Sequence, residues 1–229
     1  MTGAAPRFVR DFDPRHGEAV RLSDLVTRVT AKNPGPFTFH GTNTYLVGRD
    51  ELAVIDPGPD DPAHVEAVLA AIAGRRVVAI LATHTHRDHS PAARPLAAAT
   101  GAATYGEGPH RPARALELGE INPLDASGDH DFRPDVVLGD GDRVSGEGWT
   151  LEAIATPGHT PNHLCFALAE EATIFTGDHV MGWSTSIVAP PDGAMADYMA
   201  SLARLIDRPE RLFLPAHGGG VSEPRDLLE

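Results

Sequence analysis

The sequence predicts an α/β protein built from two mixed sheets with helices on their outer faces. Runs of β-branched and aromatic residues alternate with segments of helical periodicity, and there are more strand-like runs than a simple β-α repeat requires. The length of 229 residues suits one large domain with a single core better than two domains. We therefore expect one domain over residues 1–229.

Five segments of the first half are predicted to be strands. Each is rich in apolar or β-branched residues and lies near Gly, Pro or Asn, and the run "VVAILAT" is typical of a strand buried on both faces. These strands are 25–33, 42–48, 52–59, 77–83 and 102–106.

Two helices are predicted from apolar periodicity. In 61–74, apolar residues recur about every 3.6 positions, Pro62 stands at a first helical position and Gly74 at the end. The segment 194–208 has the pattern of an amphipathic helix.

A further helix is expected after the strand 77–83 and before the strand 102–106. Ser90 and Pro91 form a plausible cap and first turn for a helix that ends near Ala99. Pro95 conflicts with that start, because proline interrupts a helix interior, so the alternative is a helix that begins at Pro95.

The second half contains four further predicted strands and is preceded by a long loop. The strands are 149–156, 163–169, 172–178 and 211–218. Residues 107–135 show no clear period, and a loop of that length is either a lid or binding loop or a solvated insertion.

Charge makes general nucleic-acid binding less favourable. The net charge is −13, and it is unevenly distributed. The first 115 residues carry 13 basic and 12 acidic side chains, whereas the rest carry 6 basic and 20 acidic ones. Such a surface repels phosphate backbones at long range.

Cysteine usage and the N-terminal sequence predict a cytoplasmic protein. The single cysteine, Cys165, excludes an intramolecular disulfide framework, and the N-terminal residues contain no apolar signal-peptide core. The longest apolar runs are far too short to span a membrane, so no membrane association is expected.

Metal-ligand side chains follow the ends of several predicted strands. The stretch "LATHTHRDHS" holds four of them, and others stand in "VIDPG", "ATPGHT", "FTGDH" and "FLPAHG". A sheet holds groups at its strand ends rigidly, which is why functional residues are often found there. The residues are Asp56, His84, His86, Asp88, His89, His159, Asp178 and His217.

These residue types in this pattern indicate a centre with two metal ions. His84 and His86 are two positions apart and face the same side of an extended segment, while Asp88 and His89 follow the bend. Imidazole and carboxylate suit zinc and related metals, and two ions about 3.5 Å apart use such a set if one carboxylate bridges them. Without a metal, the cluster would bury several polar groups at a strand end at high cost. The "DPG" of Asp56 is also ordinary turn chemistry.

The other histidines of the first 130 residues carry weaker signals. Histidines in loops are usually solvated or hydrogen-bonded, so no catalytic role is expected for His16, His40, His64, His110 and His130.

The motifs "HTHRDH", "TPGHT", "TGDH" and "PAHG", in that order, resemble the metallo-β-lactamase superfamily. The resemblance extends from "GTNTYLVG" to "LPAHGG" and implies a four-layer αβ/βα sandwich with the metal site at one edge of the facing sheets. It implies that one zinc is bound by His84, His86 and His159, and that the other is bound by Asp88, His89 and His217. Asp178 would bridge them and Asp56 would orient ligands.

The segment "NPGPFTFHGTNTYLVG" is similar to the β-lactamase-like protein 2 endoribonucleases and to related fungal polyketide thioesterases. Members of that group usually carry a helical, winged-helix-like segment after the last histidine motif. The chain ends eleven residues after Gly218, so we expect that segment to be absent. True β-lactamases of this fold lack the bridging aspartate and often place a cysteine at the second metal, whereas Cys165 reads here as a core residue.

The resemblance also implies a reaction class. Two zinc ions would lower the pKa of a bound water, and the resulting hydroxide would attack an electrophilic carbonyl carbon or phosphorus. Asp88 is the candidate for holding that nucleophile and taking up its proton. His163 either donates a hydrogen bond to the substrate or supports the ligands, and the role of His179 is left open. Asn43 and Tyr198 are further substrate-site candidates.

The sequence therefore predicts a dinuclear zinc hydrolase of a small ester or thioester, with Mn²⁺ or Fe²⁺ as alternatives to zinc. A metal-dependent endoribonuclease acting on single-stranded RNA is the main alternative, and an iron-binding redox protein is another. A non-catalytic binding module is disfavoured because buried metal ligands are costly to keep without a metal. A small molecule is the expected partner, and the sequence does not specify the oligomeric state.

Overall fold

The computed structural model describes residues 8–122, 124–222 and 224–228. Its first sheet has seven strands in the order β1-β2-β3-β4-β5-β6-β7. These strands are β1 (Val20–Arg21), β2 (Val26–Thr30), β3 (Asn43–Val47), β4 (Glu51–Ile55), β5 (Arg76–Leu81), β6 (Ala103–Gly106) and β7 (Val136–Val137). The pairs are antiparallel from β1 to β4 and parallel from β4 to β7.

The second sheet has six strands in the order β13-β12-β11-β10-β9-β8. They are β8 (Arg143–Gly146), β9 (Trp149–Ala155), β10 (Leu164–Leu168), β11 (Thr173–Gly177), β12 (Leu212–Pro215) and β13 (Val221–Ser222). Only the β11–β12 pair is parallel, and the helix between those strands makes the crossover. Both sheets are therefore mixed, as the sequence predicts.

Four helices lie in the described part of the chain: α1 (Pro62–Ile72), α2 (Ala93–Thr100), α3 (Met195–Ile206) and α4 (Arg225–Leu228). One apolar cluster between the sheets contains Val47 and Phe166. A second joins the outer face of the first sheet to α1 and α2, and a third joins the second sheet to α3 and α4. These clusters make four layers, helix, sheet, sheet and helix, and confirm the predicted fold class.

Alternating side chains let one strand contribute to two cores. In β3, Val47 packs between the sheets while the neighbouring Leu46 packs towards α1. Cys165 lies in β10 on the face that packs against α3, and burial raises the pKa of its thiol to about 12. Its interpretation as a core residue is confirmed.

The boundaries of α1 and α2 follow from their termini. Asp61 accepts a hydrogen bond from the Ala63 amide at 3.0 Å, and Ala73 ends α1 in the left-handed conformation. The predicted start of α2 at Ser90–Pro91 is wrong, because that segment forms a turn before the helix. Pro95 lies in the first turn, where a missing N–H leaves no intrahelical bond unmade.

Several short elements were not predicted from the sequence. The strands β1, β7, β8 and β13 are two to four residues long and polar or exposed, so no alternation identifies them. The helix α4 was also not predicted, because its four residues are too few to show a helical period. Predicted strand 52–59 ends at Ile55, because Asp56 has φ of +49° and turns the chain.

The long segment 107–135 is irregular wherever it is described, except for one short 3₁₀ turn at Asp125–Ser127. Its end is attached beside the metal motif, since the Asp129 amide donates to the carbonyl of Thr85 at 2.8 Å. None of the described helices is long and apolar enough to cross a membrane.

Candidate metal centre

The two sheets meet at the edge where β4, β5, β9, β11 and β12 end. The Leu164 amide of the second sheet donates to the carbonyl of Thr83, and the Asn43 amide of the first sheet donates to the carbonyl of Ala216. Both bonds are 2.7 Å long. They join the loop after β5 to the start of β10 and the loop after β12 to the start of β3, which brings distant histidines together.

Three histidines and one aspartate form a first group of potential ligands. Nδ1 of His86 lies 3.0 Å from Nε2 of His84 and 3.1 Å from Nε2 of His159. Oδ2 of Asp178 is 4.0 Å from His84 Nε2 and 3.6 Å from His159 Nε2. Tetrahedral ligands at zinc bond lengths are about 3.3 Å apart, so this group fits one such ion.

Asp88, His89 and His217 form a second group. Oδ2 of Asp88 is 3.3 Å from Nε2 of both histidines. Asp178 reaches this group as well, with Oδ2 3.6 Å from His89 Nε2 and Oδ1 3.3 Å from His217 Nε2. The carboxylate of Asp178 thus stands between the two groups, where a bridging ligand would be.

In four of the five histidines, the outward ring nitrogen is hydrogen-bonded and the inward nitrogen faces the cluster. Nδ1 of His159 donates to the carbonyl of Ile187 at 2.6 Å, and Nδ1 of His217 donates to the carbonyl of Gly41 at 3.2 Å. A carbonyl only accepts, so Nδ1 carries a proton in each ring, and in the neutral form of the ring the Nε2 lone pair faces the cluster.

Asp56 and Thr83 orient two more rings in the same way. Nδ1 of His89 lies 3.1 Å from Oδ2 of Asp56. The Thr83 hydroxyl donates to the same carboxylate at 2.9 Å and lies 3.0 Å from Nδ1 of His84. This is the orienting position that the sequence resemblance implies for Asp56.

Buried atoms at the centre of the cluster have no hydrogen-bond partner among the described residues. These atoms are Nε2 of His89 and Oδ1 of Asp178. Such atoms are costly when unpartnered, and metal ions would satisfy both. The donor set of five imidazoles and two carboxylates therefore fits a pair of borderline metal ions such as Zn²⁺ or Fe²⁺.

The two groups differ in electrostatic environment. Burial and the neighbouring His159 lower the pKa of His86 to about 3, and burial also lowers the pKa of His84 well below its ordinary value. Both rings are neutral at pH 7, the form in which imidazole binds a metal. At His217, burial is outweighed by Asp178 and Asp88, which raise the pKa to about 10.

The model of the Metallo-beta-lactamase superfamily matches residues 37–217. The chain belongs to this superfamily. The match includes both groups of ligands.

Individual relatives are consistent with membership of this superfamily. The chain is 34% identical to the atrochrysone carboxyl ACP thioesterase of Aspergillus fumigatus over 99% of the chain and 65% of that protein. It is 32% identical to the beta-lactamase-like protein 2 homolog of Caenorhabditis elegans over 86% of the chain and 63% of that protein. The chain thus spans less than two thirds of the length of these relatives. The resemblance to the β-lactamase-like protein 2 group is confirmed.

A solved structure extends the likeness to three dimensions. The crystal structure of TTHA1623 in a di-iron-bound form is 30% identical, with a TM-score of 0.64 over 87% of this chain and 96% of that one.

Two residues predicted to be catalytic lie on opposite sides of the cluster. Asp88 is half-buried, lines the open side and accepts a hydrogen bond from the Thr42 hydroxyl at 3.2 Å. His163 is buried beneath the cluster, where its Nε2 accepts the Asp178 amide at 3.3 Å and its Nδ1 is bonded to Thr156 at 2.8 Å. Of its two predicted roles, the geometry favours support of Asp178 over contact with substrate.

Neither of the two weaker substrate-site candidates lines the cavity. Asn43 is buried, and its amide donates to the carbonyls of Pro215 and Gly218, so it fixes the loop of His217. Tyr198 donates to the carbonyl of His179 at 3.0 Å. His179 is itself buried beside Asp178, and burial lowers its pKa to about 3.

Sequence reasoning missed the structural roles of two histidines. His64 is buried and shares a 2.8 Å hydrogen bond with the Thr44 hydroxyl. His110 lies next to the metal motif, with Nδ1 3.2 Å from the Thr85 hydroxyl and Nε2 3.8 Å from a carboxylate oxygen of Asp192. No local signal identifies either role, because the partners are distant in sequence.

A cavity of about 290 Å³ opens above the two ligand groups. Its floor is formed by ligand side chains, and Arg87 stands at its side. The rest of its wall is largely apolar and comes from three loops. The apolar residues are Phe37, Leu124, Ala126, Met181 and Ile187.

Proposed function

We propose that the chain is a metal-dependent hydrolase that binds two metal ions and cleaves a small ester or thioester. The observation that carries this proposal is the pair of ligand groups that share Asp178. The superfamily match and the relative named as a thioesterase support a metal-dependent hydrolase.

In this proposal, His84, His86 and His159 hold one ion, Asp88, His89 and His217 hold the other, and Asp178 bridges them. Zinc is the metal we propose, and the di-iron-bound TTHA1623 supports iron as the alternative. When bound, such ions supply Lewis acidity towards a carbonyl oxygen and lower the pKa of water.

Asp88 performs the proton transfer in this proposal. Its carboxylate lies at the open side of the cluster, and the Thr42 hydroxyl holds one of its oxygens. From that position it orients the attacking water and accepts its proton, and it then returns a proton to the leaving group. Asp56 and His163 act through the residues they hold in place.

The cavity supports an acyl substrate over RNA. Two arginines of the loop 107–135 are already neutralised, since Arg111 is paired with Glu107 and Arg114 with Glu120, both at 2.6 Å. Binding of single-stranded RNA needs several free cations along the strand's path. A small-molecule partner is therefore our proposal and an endoribonuclease the alternative, while a cytoplasmic location stays a prediction from the sequence.

Reconstitution with Zn²⁺, Mn²⁺ or Fe²⁺, followed by elemental analysis and a substrate panel, tests this proposal. We expect up to two ions per chain and hydrolysis of thioesters or esters, both lost in a double His84→Ala and His86→Ala variant. Protein that never holds more than one ion would contradict the dinuclear centre. Metal-dependent RNA cleavage with a specificity constant above that of every acyl substrate would favour the endoribonuclease.

A further inference from the structure

Arg87 is the cation at the cavity that no carboxylate neutralises within the described residues. It stands between the ligands His86 and Asp88 and is exposed. Its amide donates to the carbonyl of Ser127 at 2.9 Å, and its Nε donates to the carbonyl of Gly128 at 3.1 Å. These bonds fix the guanidinium plane against the loop and leave both terminal nitrogens available for a ligand.

Two arginines of the neighbouring loop 107–135 are used differently. Arg111 and Arg114 form short ion pairs with glutamates four and six residues away. An arginine whose fork faces a carboxylate has little capacity for a second anion. Arg87 therefore differs from Arg111 and Arg114, because its guanidinium lines the cavity and is not paired with a carboxylate among the described residues.

The wall around Arg87 is apolar. Leu124 and Ala126 come from the same loop that holds Arg87, and Phe37 comes from the loop before β3 with 61% of its surface exposed. Ile187 closes the side of His159 and is tied to it by the bond from His159 Nδ1. A ligand in this cavity thus meets one guanidinium, the metal-ligand cluster and a largely apolar surface in which Thr38 and Ser127 are the polar residues.

We propose that this cavity selects an ester or thioester that carries one anionic group, a carboxylate or a phosphate, held by Arg87 beside the scissile bond. The rest of the substrate is apolar and packs on Phe37, Leu124 and Ile187. This inference rests on the proposed hydrolase function and names its substrate class.

The charge pattern explains why one anion is expected. A guanidinium binds a carboxylate or phosphate through two parallel hydrogen bonds, and a fork that is already oriented loses little entropy on binding. A single fork accommodates one such group. A polyanion would place further charges against apolar residues, which is unfavourable.

The test uses thioether analogues, which bind in place of thioesters and cannot be hydrolysed. Three analogues share one aromatic acyl-like group: a neutral one, one with a carboxylate on that group, and one with a phosphate on the thiol side. Calorimetry with the zinc-loaded protein measures the affinity for each, and elemental analysis confirms equal metal content. The variants are Arg87→Gln, Arg87→Lys and, as the matched control, Arg111→Gln.

For the unmodified protein, we expect at least one anionic analogue to bind 10-fold or more tightly than the neutral one. Arg87→Gln should abolish that preference and leave the affinity for the neutral analogue within about 3-fold, and Arg87→Lys should keep part of it because charge remains without the fork. Arg111→Gln should change nothing. Whichever anionic analogue loses affinity identifies the carboxylate or the phosphate as the recognised group.

Equal losses for neutral and anionic analogues in Arg87→Gln would overturn the inference, and so would the absence of any anion preference in the unmodified protein. Both results leave the hydrolase proposal standing if thioesters are still cleaved. Conversely, an Arg87-dependent anion preference without any ester or thioester hydrolysis would support the anion site and contradict the proposed function.

Discussion

Four of the five histidine rings at the centre are oriented by a hydrogen bond at the ring nitrogen that faces away from the cluster. Those bonds go to the Ile187 and Gly41 carbonyls, to Thr83 and to Asp56. Because each acceptor fixes one nitrogen as the proton carrier, the opposite nitrogen is left for a metal. Predictions at this scale concern single side chains whose removal changes that arrangement.

Asp178→Ala should remove the negative charge that stands between the two ligand groups. We expect loss of at least one metal ion per chain and of most hydrolytic activity, because two cations would then face each other without a bridge. Elemental analysis and turnover after identical reconstitution measure both effects. A variant that keeps two ions and full turnover would show that Asp178 is not a ligand.

Asp56→Asn should weaken metal binding without touching a ligand. The amide keeps the size but offers one acceptor oxygen to three donors, the Thr83 amide, the Thr83 hydroxyl and His89. We expect metal affinity to fall about 10–100-fold in chelator competition. Asp61→Asn, which changes the cap of α1 instead, is the control and should keep the original affinity.

His64 should make the protein less stable in acid. Burial lowers its pKa to about 4, so the folded protein resists protonating a ring that the unfolded chain protonates below about pH 6.5. Its contribution to stability is full above pH 6.5 and declines as the pH falls towards 4, by about 3 kcal/mol in total.

The measurement is urea unfolding of the metal-free protein and of a His64→Gln variant between pH 7 and pH 4. The ligand histidines titrate in both proteins, so the difference between the two free energies isolates His64. We expect that difference to shift in favour of the variant as the pH falls. A difference independent of pH would contradict the assignment.

At the scale of elements, the end of β11 determines where Asp178 lies. Gly177 has φ of +50°, and a Cβ there would lie 2.6 Å from the Thr83 hydroxyl and 2.7 Å from Nε2 of His163. Glycine is thus required for two reasons: the backbone is left-handed at this position, and the side chains of Thr83 and His163 leave no room for a Cβ. The turn directs the next residue into the cluster.

Gly177→Ala should therefore cost about 2–4 kcal/mol of unfolding free energy, from backbone strain plus the displaced neighbours. The matched control is Gly101→Ala at the end of α2, where φ is +75° and a Cβ would meet no atom within 4 Å. That variant should lose only about 1 kcal/mol. Equal losses in the two variants, measured by urea unfolding, would show that packing at Gly177 is unimportant.

At the scale of the whole molecule, net charge and the paired arginines bear on substrate class. With a charge of −13, the protein repels polyanions, and two cations of the long loop, Arg111 and Arg114, are paired with glutamates. We expect a thioester to be hydrolysed with a higher specificity constant than any RNA oligomer at low salt. Weak salt dependence of acyl hydrolysis should accompany it, whereas RNA cleavage would decline steeply with salt.

The sequence by itself indicated the kind of metal-ligand side chains that this protein brings together. Histidine and aspartate after apolar strands indicated a two-metal centre, and the order of the motifs indicated the superfamily that the comparison confirmed. Long apolar or amphipathic segments also predicted the main strands and α1, because their period reflects local burial. Short polar strands such as β8 and the start of α2 escaped prediction, since neighbours distant in sequence decide whether such segments pair or turn.

Only the tertiary structure decided which residues touch. Two facing sheets bring the loop of His217 against β3 and place Asp178 between both ligand groups. The same packing puts His163 beneath the cluster. Within the described residues, no carboxylate pairs with Arg87 at the cavity, whereas Arg111 is paired with Glu107. Sequence spacing reports the directions of side chains within one element, whereas these contacts depend on how separate elements pack, which no local pattern encodes.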